Sequence, residues 1–134
     1  MKALSYKKFG DADRLEWGGG WPVPEPKGNE VLIQACAGGL NPKDIMLRKG
    51  KFGRFLARDP LPRISGLDIA GIVAKTGSSA GRFSSGDKVF GMTNRFCGGV
   101  HAEYALLHEN EIAQIPEGLG MAEAFKYQAI LLDL

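Results

Sequence analysis

The sequence predicts a mainly β fold, a small barrel or sandwich of short strands with short helices and one helix at the C-terminus. Three observations predict it. Glycine is abundant, 19 of 134 residues with 7 prolines beside them, against an average glycine usage of ~7%, so the chain turns often. The apolar runs are short, rich in β-branched residues and bounded by Gly, Pro, Asn and Asp. An apolar pattern of helical period returns only near the end. The length suits one domain of the usual ~100–150 residues.

Lys2 to Tyr6 reads as an opening strand, stopped by Phe9-Gly10-Asp11 before a short extended piece around Leu15-Glu16-Trp17. Gly18 to Gly20 and Pro22, Pro24 and Pro26 make a loop. Glu30 to Ala37 is the strongest strand, between Gly28-Asn29 and Gly38-Gly39. Asn41 followed by Pro42 is an N-cap and first-turn pair. A short helix over Lys43 to Lys49 follows, closed by Gly50, with Asp44 in the first turn where the helix dipole favours it. Lys51 to Arg63 is a basic, Pro-punctuated loop. Strands are predicted at Ile69 to Lys75, at Lys88 to Phe90 after the turn Ser85-Gly86-Asp87, at Val100 to Leu107 and at Ile112 to Ile115. From Met121 on, Phe125, Ala129 and Leu132 fall on one helical face.

Lys and Arg number 17 against 15 Asp and Glu, and with 44% hydrophobic and 24% charged residues the chain reads as an ordinary soluble globular protein. It lacks the strong basic excess of a nucleic-acid binder. The N-terminus has no apolar core of the ~7–15 residues that a secretory signal needs, so a cytoplasmic location is expected. Apolar runs fall far short of the ~18 residues of a spanning helix, and no membrane segment is expected. Cys36 and Cys97 are the only cysteines. They read as two buried or semi-buried thiols rather than a disulfide.

Gly77-Ser78-Ser79-Ala80-Gly81 fits the G-x-S-x-G pattern of a hydrolase nucleophile elbow. The elbow needs a helix directly after the serine, whereas Arg82 to Asp87 reads as loop, so a tight turn is the reading. Cys97, His101 and His108 have chemistry suited to zinc but supply only a half-site by spacing; no metal is predicted, and the histidines read as surface residues on a strand. No G-x-G-x-x-G after a strand and no G-K-[ST] is present. Between Lys43 and Arg63, seven cations (Lys43, Arg48, Lys49, Lys51, Arg54, Arg58, Arg63) stand against Asp44 and Asp59. This segment reads as a solvated charged lobe, as a rim attracting an anionic ligand such as a cofactor phosphate, or as a nucleic-acid contact.

Gly39-Leu40-Asn41-Pro42-Lys43-Asp44, then Pro62 to Val73, resemble a medium-chain dehydrogenase/reductase. Val73 to Gly91, Gly98-Gly99-Val100-His101-Ala102-Glu103-Tyr104 and Ile112 to Pro116 extend the resemblance in order. It covers residues 1–124 and implies the N-terminal catalytic domain of that family, a GroES-like, partly open β-barrel. Zinc alcohol dehydrogenases of the family place a cysteine where Asn41 stands and a histidine then an acidic residue where Leu67-Asp68 stands. Both metal-binding side chains are replaced here, and the four-cysteine lobe is missing. The chain therefore resembles the zinc-independent, quinone oxidoreductase-like branch, with Met46 where that branch often carries tyrosine. The resemblance implies hydride transfer from NADPH to a quinone or enone substrate. It implies Asn41 and Asp44 as catalytic residues, and Asn41, Pro42, Lys43 and Arg48 as contacts to the cofactor. Asn41 also reads as a cap alone and Asp44 as a first-turn charge alone.

The family's nicotinamide-binding Rossmann domain should follow near residue 124 and is absent, and residues 125–134 read as a truncated helical tail. A fragment, or a frameshifted gene product inactive by itself, is the expectation; a freestanding, non-enzymatic GroES-like binding module is the alternative. A barrel without its closing strands exposes edge backbone, which predicts a homodimer.

Overall fold

The computed structural model describes residues 1–53 and 60–124. The tail expected at 125–134 and the part of the basic loop from Arg54 to Asp59 lie outside them. Eight strands stand among the described residues: β1 (Ala3–Tyr6), β2 (Glu16–Gly18), β3 (Glu30–Gly39), β4 (Arg63–Ile64), β5 (Asp68–Thr76), β6 (Lys88–Met92), β7 (Tyr104–His108) and β8 (Ile112–Gln114). The helices are α1 (Pro42–Arg48) and α2 (Met121–Ala124), with short 3-10 turns at Ala12–Arg14 and Glu109–Glu111.

The strands form two antiparallel sheets, in the orders β2-β1-β4 and β7-β3-β5-β6-β8. The sheets do not close into a barrel. They meet where Ala3 bridges Ala102. There Leu4 N–H donates to His101 O at 2.8 Å and His101 N–H to Ser65 O at 2.9 Å. This junction corrects one expectation: the strand predicted from Val100 begins at Tyr104, because Val100 to Glu103 spend their hydrogen bonds tying the small sheet to the large one. A second correction is β4. Its two residues directly follow Pro62, at the end of what reads as a loop, and pair with the other side of β1. A proline at the mouth of a strand is compatible with an edge position and hides it from pattern reading.

The core lies over the large sheet, where Val31, Ile33, Ile69, Val73, Val89, Phe83, Leu107 and Ile112 pack together. Ala70 and Phe90 form a second cluster with Ile115 and with Ala124 of α2. Leu47 and Cys97 make a third and fix α1. Val31, Leu32 and Ile33 are all buried, so the first half of β3 is covered on both faces, whereas Gln34, Cys36 and Gly38 are exposed. The open half of β3 is the wall of the site described below. The sequence reading of two buried or semi-buried thiols holds for Cys97 and not for Cys36, which is exposed. Gly77 to Gly81 form a turn, with Ser79 N–H on Gly28 O at 2.9 Å and Ala80 N–H on Gly77 O at 3.2 Å. No described helix is long and apolar enough to cross a membrane.

Candidate functional site

Where β3 runs out, Gly38 and Gly39 pass the chain to Leu40 and Asn41, and α1 starts at Pro42. Asn41 is extended at φ −106°, ψ 152°, the N-cap geometry that Asn and a following Pro favour. Its N–H donates to Asp44 Oδ2 at 2.8 Å, so the first-turn carboxylate reaches back over the cap. Its side-chain amide turns the other way and donates to Asp68 Oδ2, at the start of β5. Of the two positions that the resemblance matches to metal-binding side chains in zinc enzymes, one is this Asn41 amide, held by Asp68, and the other is the buried Leu67. Among the described residues, no three His, Cys, Asp or Glu side chains are grouped to hold a metal ion.

A cleft of about 600 Å³ lies beside this corner, lined by the open half of β3, by Leu4 and Trp17 of the small sheet and Leu15 just before β2, and by Asp44, Arg48, Ser65 and Val100 to Glu103. Most of its wall is apolar or glycine. Asp44 is 5% exposed. Its Oδ2 serves the cap, and Oδ1 has no hydrogen-bond partner among the described residues. Burial pushes the Asp44 carboxyl above its ordinary value; the Asn41 N–H, His101 and Lys43 pull it back, and the neighbouring Asp68 adds to the rise.

The sequence places His101 among surface histidines on a strand; the structure places it, half-buried, in the joint between the sheets. Nε2 lies 2.9 Å from Gly39 O and Nδ1 3.4 Å from Ser65 Oγ. A carbonyl only accepts, so Nε2 carries the proton there and Nδ1 is left to the serine hydroxyl. The ring needs two glycines to fit. A Cβ on Gly66, whose φ is +106°, would sit 2.2 Å from the His101 ring, and one on Gly38 3.0 Å from it. His101 thus fixes the carbonyl two residues before Asn41. Only those glycines could have signalled it in the sequence, and what they make room for lies far away along the chain. His108 instead accepts from Asn110 N–H at 3.1 Å, as an exposed cap.

The other candidate residues are spread out. Pro42 is exposed at the head of α1. Lys43 Nζ sits 4.2 Å over the Phe96 ring. Arg48 lines the cleft at 8% exposure and donates from Nε to Gly10 O at 3.2 Å. Arg63, 5% exposed, faces the Phe9 ring at 5.5 Å. The reading of Lys43 to Arg63 as a wholly solvated lobe therefore fails for Arg48 and Arg63, because both guanidinium groups pack inward.

The dinucleotide implied by the resemblance finds only part of what it needs here. Gly38 and Gly39 line the cleft, and the space beside their Cα atoms is taken by His101 and Asp68. Among the described residues a phosphate cradle is not offered: α1 spans two turns, its cap N–H is taken by Asp44, and Lys43 and Arg48 are engaged within the fold.

Residues 27–117 match the family described as the alcohol dehydrogenase GroES-like domain. The chain is 38% identical to a 2-methylene-furan-3-one reductase of Solanum lycopersicum, over 92% of this chain and 33% of that protein. It is 35% identical to an NADPH-dependent alkenal/one oxidoreductase of Arabidopsis thaliana, over 92% of this chain and 33% of the other. The solved quinone oxidoreductase of Coxiella burnetii superposes with a TM-score of 0.84 at 32% identity, covering 92% of this chain and 39% of that one. The chain spans about a third of the length of the curated relatives it matches.

Proposed function

The chain belongs to the alcohol dehydrogenase GroES-like domain family, and on that premise we propose that it forms the substrate side of an NAD(P)H-dependent reductase that reduces a quinone or other activated alkene without zinc. The observation that carries this reading is the buried Asp44, with one oxygen spent on the Asn41 cap and the other without a partner beside an apolar cleft. The similarity to a reductase, an alkenal/one oxidoreductase and a quinone oxidoreductase supports the substrate class.

A reduced nicotinamide would supply the hydride in this chemistry. What this chain supplies is position and polarity. The apolar walls at Leu4, Trp17, Leu40 and Val100 take a neutral, flat ligand out of water. Burial raises the Asp44 pKa, and where its carboxyl is protonated a small shift of the side chain would let it donate to the carbonyl oxygen of such a ligand and favour the negative charge that grows there on reduction. Asn41 orients Asp44 through its N–H, Asp68 holds the Asn41 amide, and His101 holds the Gly39 carbonyl.

The test is an amide chemical-shift titration of the chain with cyclohexanone, a saturated stand-in for an enone, with zinc and with EDTA. Saturable shifts centred on Gly38, Gly39, Leu40 and His101, equal in both buffers, are expected. Shifts that need zinc would contradict the metal-free reading, and no saturable shift would remove the substrate-side role.

A further inference from the structure

We propose that Ser65 and His101 form a nucleophile and base pair that takes the acyl group of small, uncharged esters in the cleft. The activity uses the cleft and does not depend on the reduction proposed above. The joint between the sheets makes the pair. Directly after β4, Ser65 N–H donates to Leu4 O at 2.8 Å and Ser65 O accepts from His101 N–H at 2.9 Å, so both backbones are fixed where the side chains meet. Ser65 Oγ lies 3.4 Å from His101 Nδ1. Nε2 is spent on Gly39 O at 2.9 Å, and because that carbonyl only accepts, Nδ1 is the unprotonated nitrogen and accepts from the hydroxyl. A nucleophile, a base and a third group that orients the base thus form one chain of hydrogen bonds.

The ring has little freedom to leave this geometry. The backbone at Gly66 and at Gly38 comes so close that a Cβ there would lie 2.2 and 3.0 Å from it. Ser65 and His101 both line the cleft, beside Leu4, Leu15, Trp17 and Val100, and these apolar neighbours select a neutral acyl group over a charged one. Asp44, where ionised, is near enough for its charge to favour the imidazolium that the step creates. Oγ bonds to the ester carbonyl carbon while its proton passes to Nδ1; the bond from that carbon to the ester oxygen breaks, and the alcohol leaves with the proton. Water then attacks the acyl-serine, one of its protons returns to Oγ by way of Nδ1, and the carboxylic acid leaves. Nothing is oxidised or reduced, and the reactants are the ester and water. Ser79, the serine of the G-x-S-x-G pattern, is exposed in a turn and serves as an internal control.

The experiment treats the whole chain with p-nitrophenyl acetate and, separately, with phenylmethylsulfonyl fluoride. Nitrophenolate release is followed, and peptide masses set apart labels on serine from those on lysine or cysteine. Ser65 is expected to be acetylated about a hundredfold faster than Ser79, and to be the serine that carries the sulfonyl group. Ser65→Ala, which removes only a hydroxyl, should abolish both labels. His101→Gln keeps an amide donor for Gly39 O but supplies no base, and should lower Ser65 labelling to the rate of Ser79. In the parent chain, acetylation of Ser65 should be slower in deuterium oxide, because the proton moves as the Oγ bond to carbon forms; this reads the base even where a His101 variant fails to fold. No label on Ser65, a label at the Ser79 rate, or equal rates in the two solvents would overturn the proposal. So would a folded His101→Gln chain that labels like the parent.

Discussion

Asp44 carries the most informative chemistry in the molecule, and its behaviour with pH follows from its burial. The fold raises its pKa, so the folded chain holds this proton more tightly than the unfolded chain does. Its contribution is therefore most favourable below the ordinary carboxylate range and is lost as pH rises through the raised value. Asp44→Asn, which keeps an oxygen for the Asn41 N–H and cannot ionise, should unfold at a higher temperature than the parent at neutral pH and at the same temperature in acid. Calorimetric scans at both pH values check this. Gly66 is the second test at this scale. Its φ of +106° and the 2.2 Å approach to the His101 ring leave no room for a methyl group. Gly66→Ala should cost about 2–3 kcal/mol in denaturant unfolding, from backbone strain and overpacking together. Asn41 as an N-cap and Asp44 as a first-turn charge are legible in the sequence because cap chemistry is local; the hydrogen bond between them is added by the structure. The place of His101 is not legible, since its partners, Gly39, Ser65 and Gly66, lie on distant segments that only the fold brings together.

Among the elements, β3 does the most to build the site and showed both what the pattern could tell and where it stopped. Its apolar, β-branched first half was readable as a strand. Its second half was cut short at Ala37 in that reading because Gly38 and Gly39 resemble a turn, whereas both pair with β5, at Ile69 and Asp68. The glycines are in the strand because His101 and Asp68 crowd their Cα atoms. The partner strand has a matching constraint: a Cβ on Gly71 would lie 2.1 Å from Gln34 O, a backbone atom that cannot swing aside. Gly71→Ala should therefore shift the β-bulge that Cys36 forms between Ala35 and Ala37 and destabilise the chain by about 1–3 kcal/mol, read from the urea midpoint. Helix α1 spans seven residues and is too short to stand alone. It persists through Leu47, 2% exposed. Leu47→Ala should cost about 2–5 kcal/mol and loosen the Asn41 corner, seen as faster amide exchange at Asp44.

At the scale of the whole molecule, two antiparallel sheets joined at Ala3 and Ala102 leave the sheet-end strands β2, β4, β7 and β8 each paired on one side only, within the described residues. Unpaired edges invite a second copy, and a light-scattering mass twice that of one chain is the expected outcome; the mass of a single chain would count against edge pairing. The mainly β character was legible from glycine, proline and short apolar runs, since those set local turning. The junction between the sheets was not, because it is built from Val100 to Glu103, whose side chains read as a strand while their backbone serves two sheets. On the proposed function, the chain binds the carbonyl ligand and not the nucleotide. Saturation-transfer difference NMR on one sample containing the chain, cyclohexanone and NADPH tests it most directly. Transfer to the cyclohexanone protons with none to the nucleotide is the predicted result; transfer to the NADPH protons, or none to cyclohexanone, would contradict it.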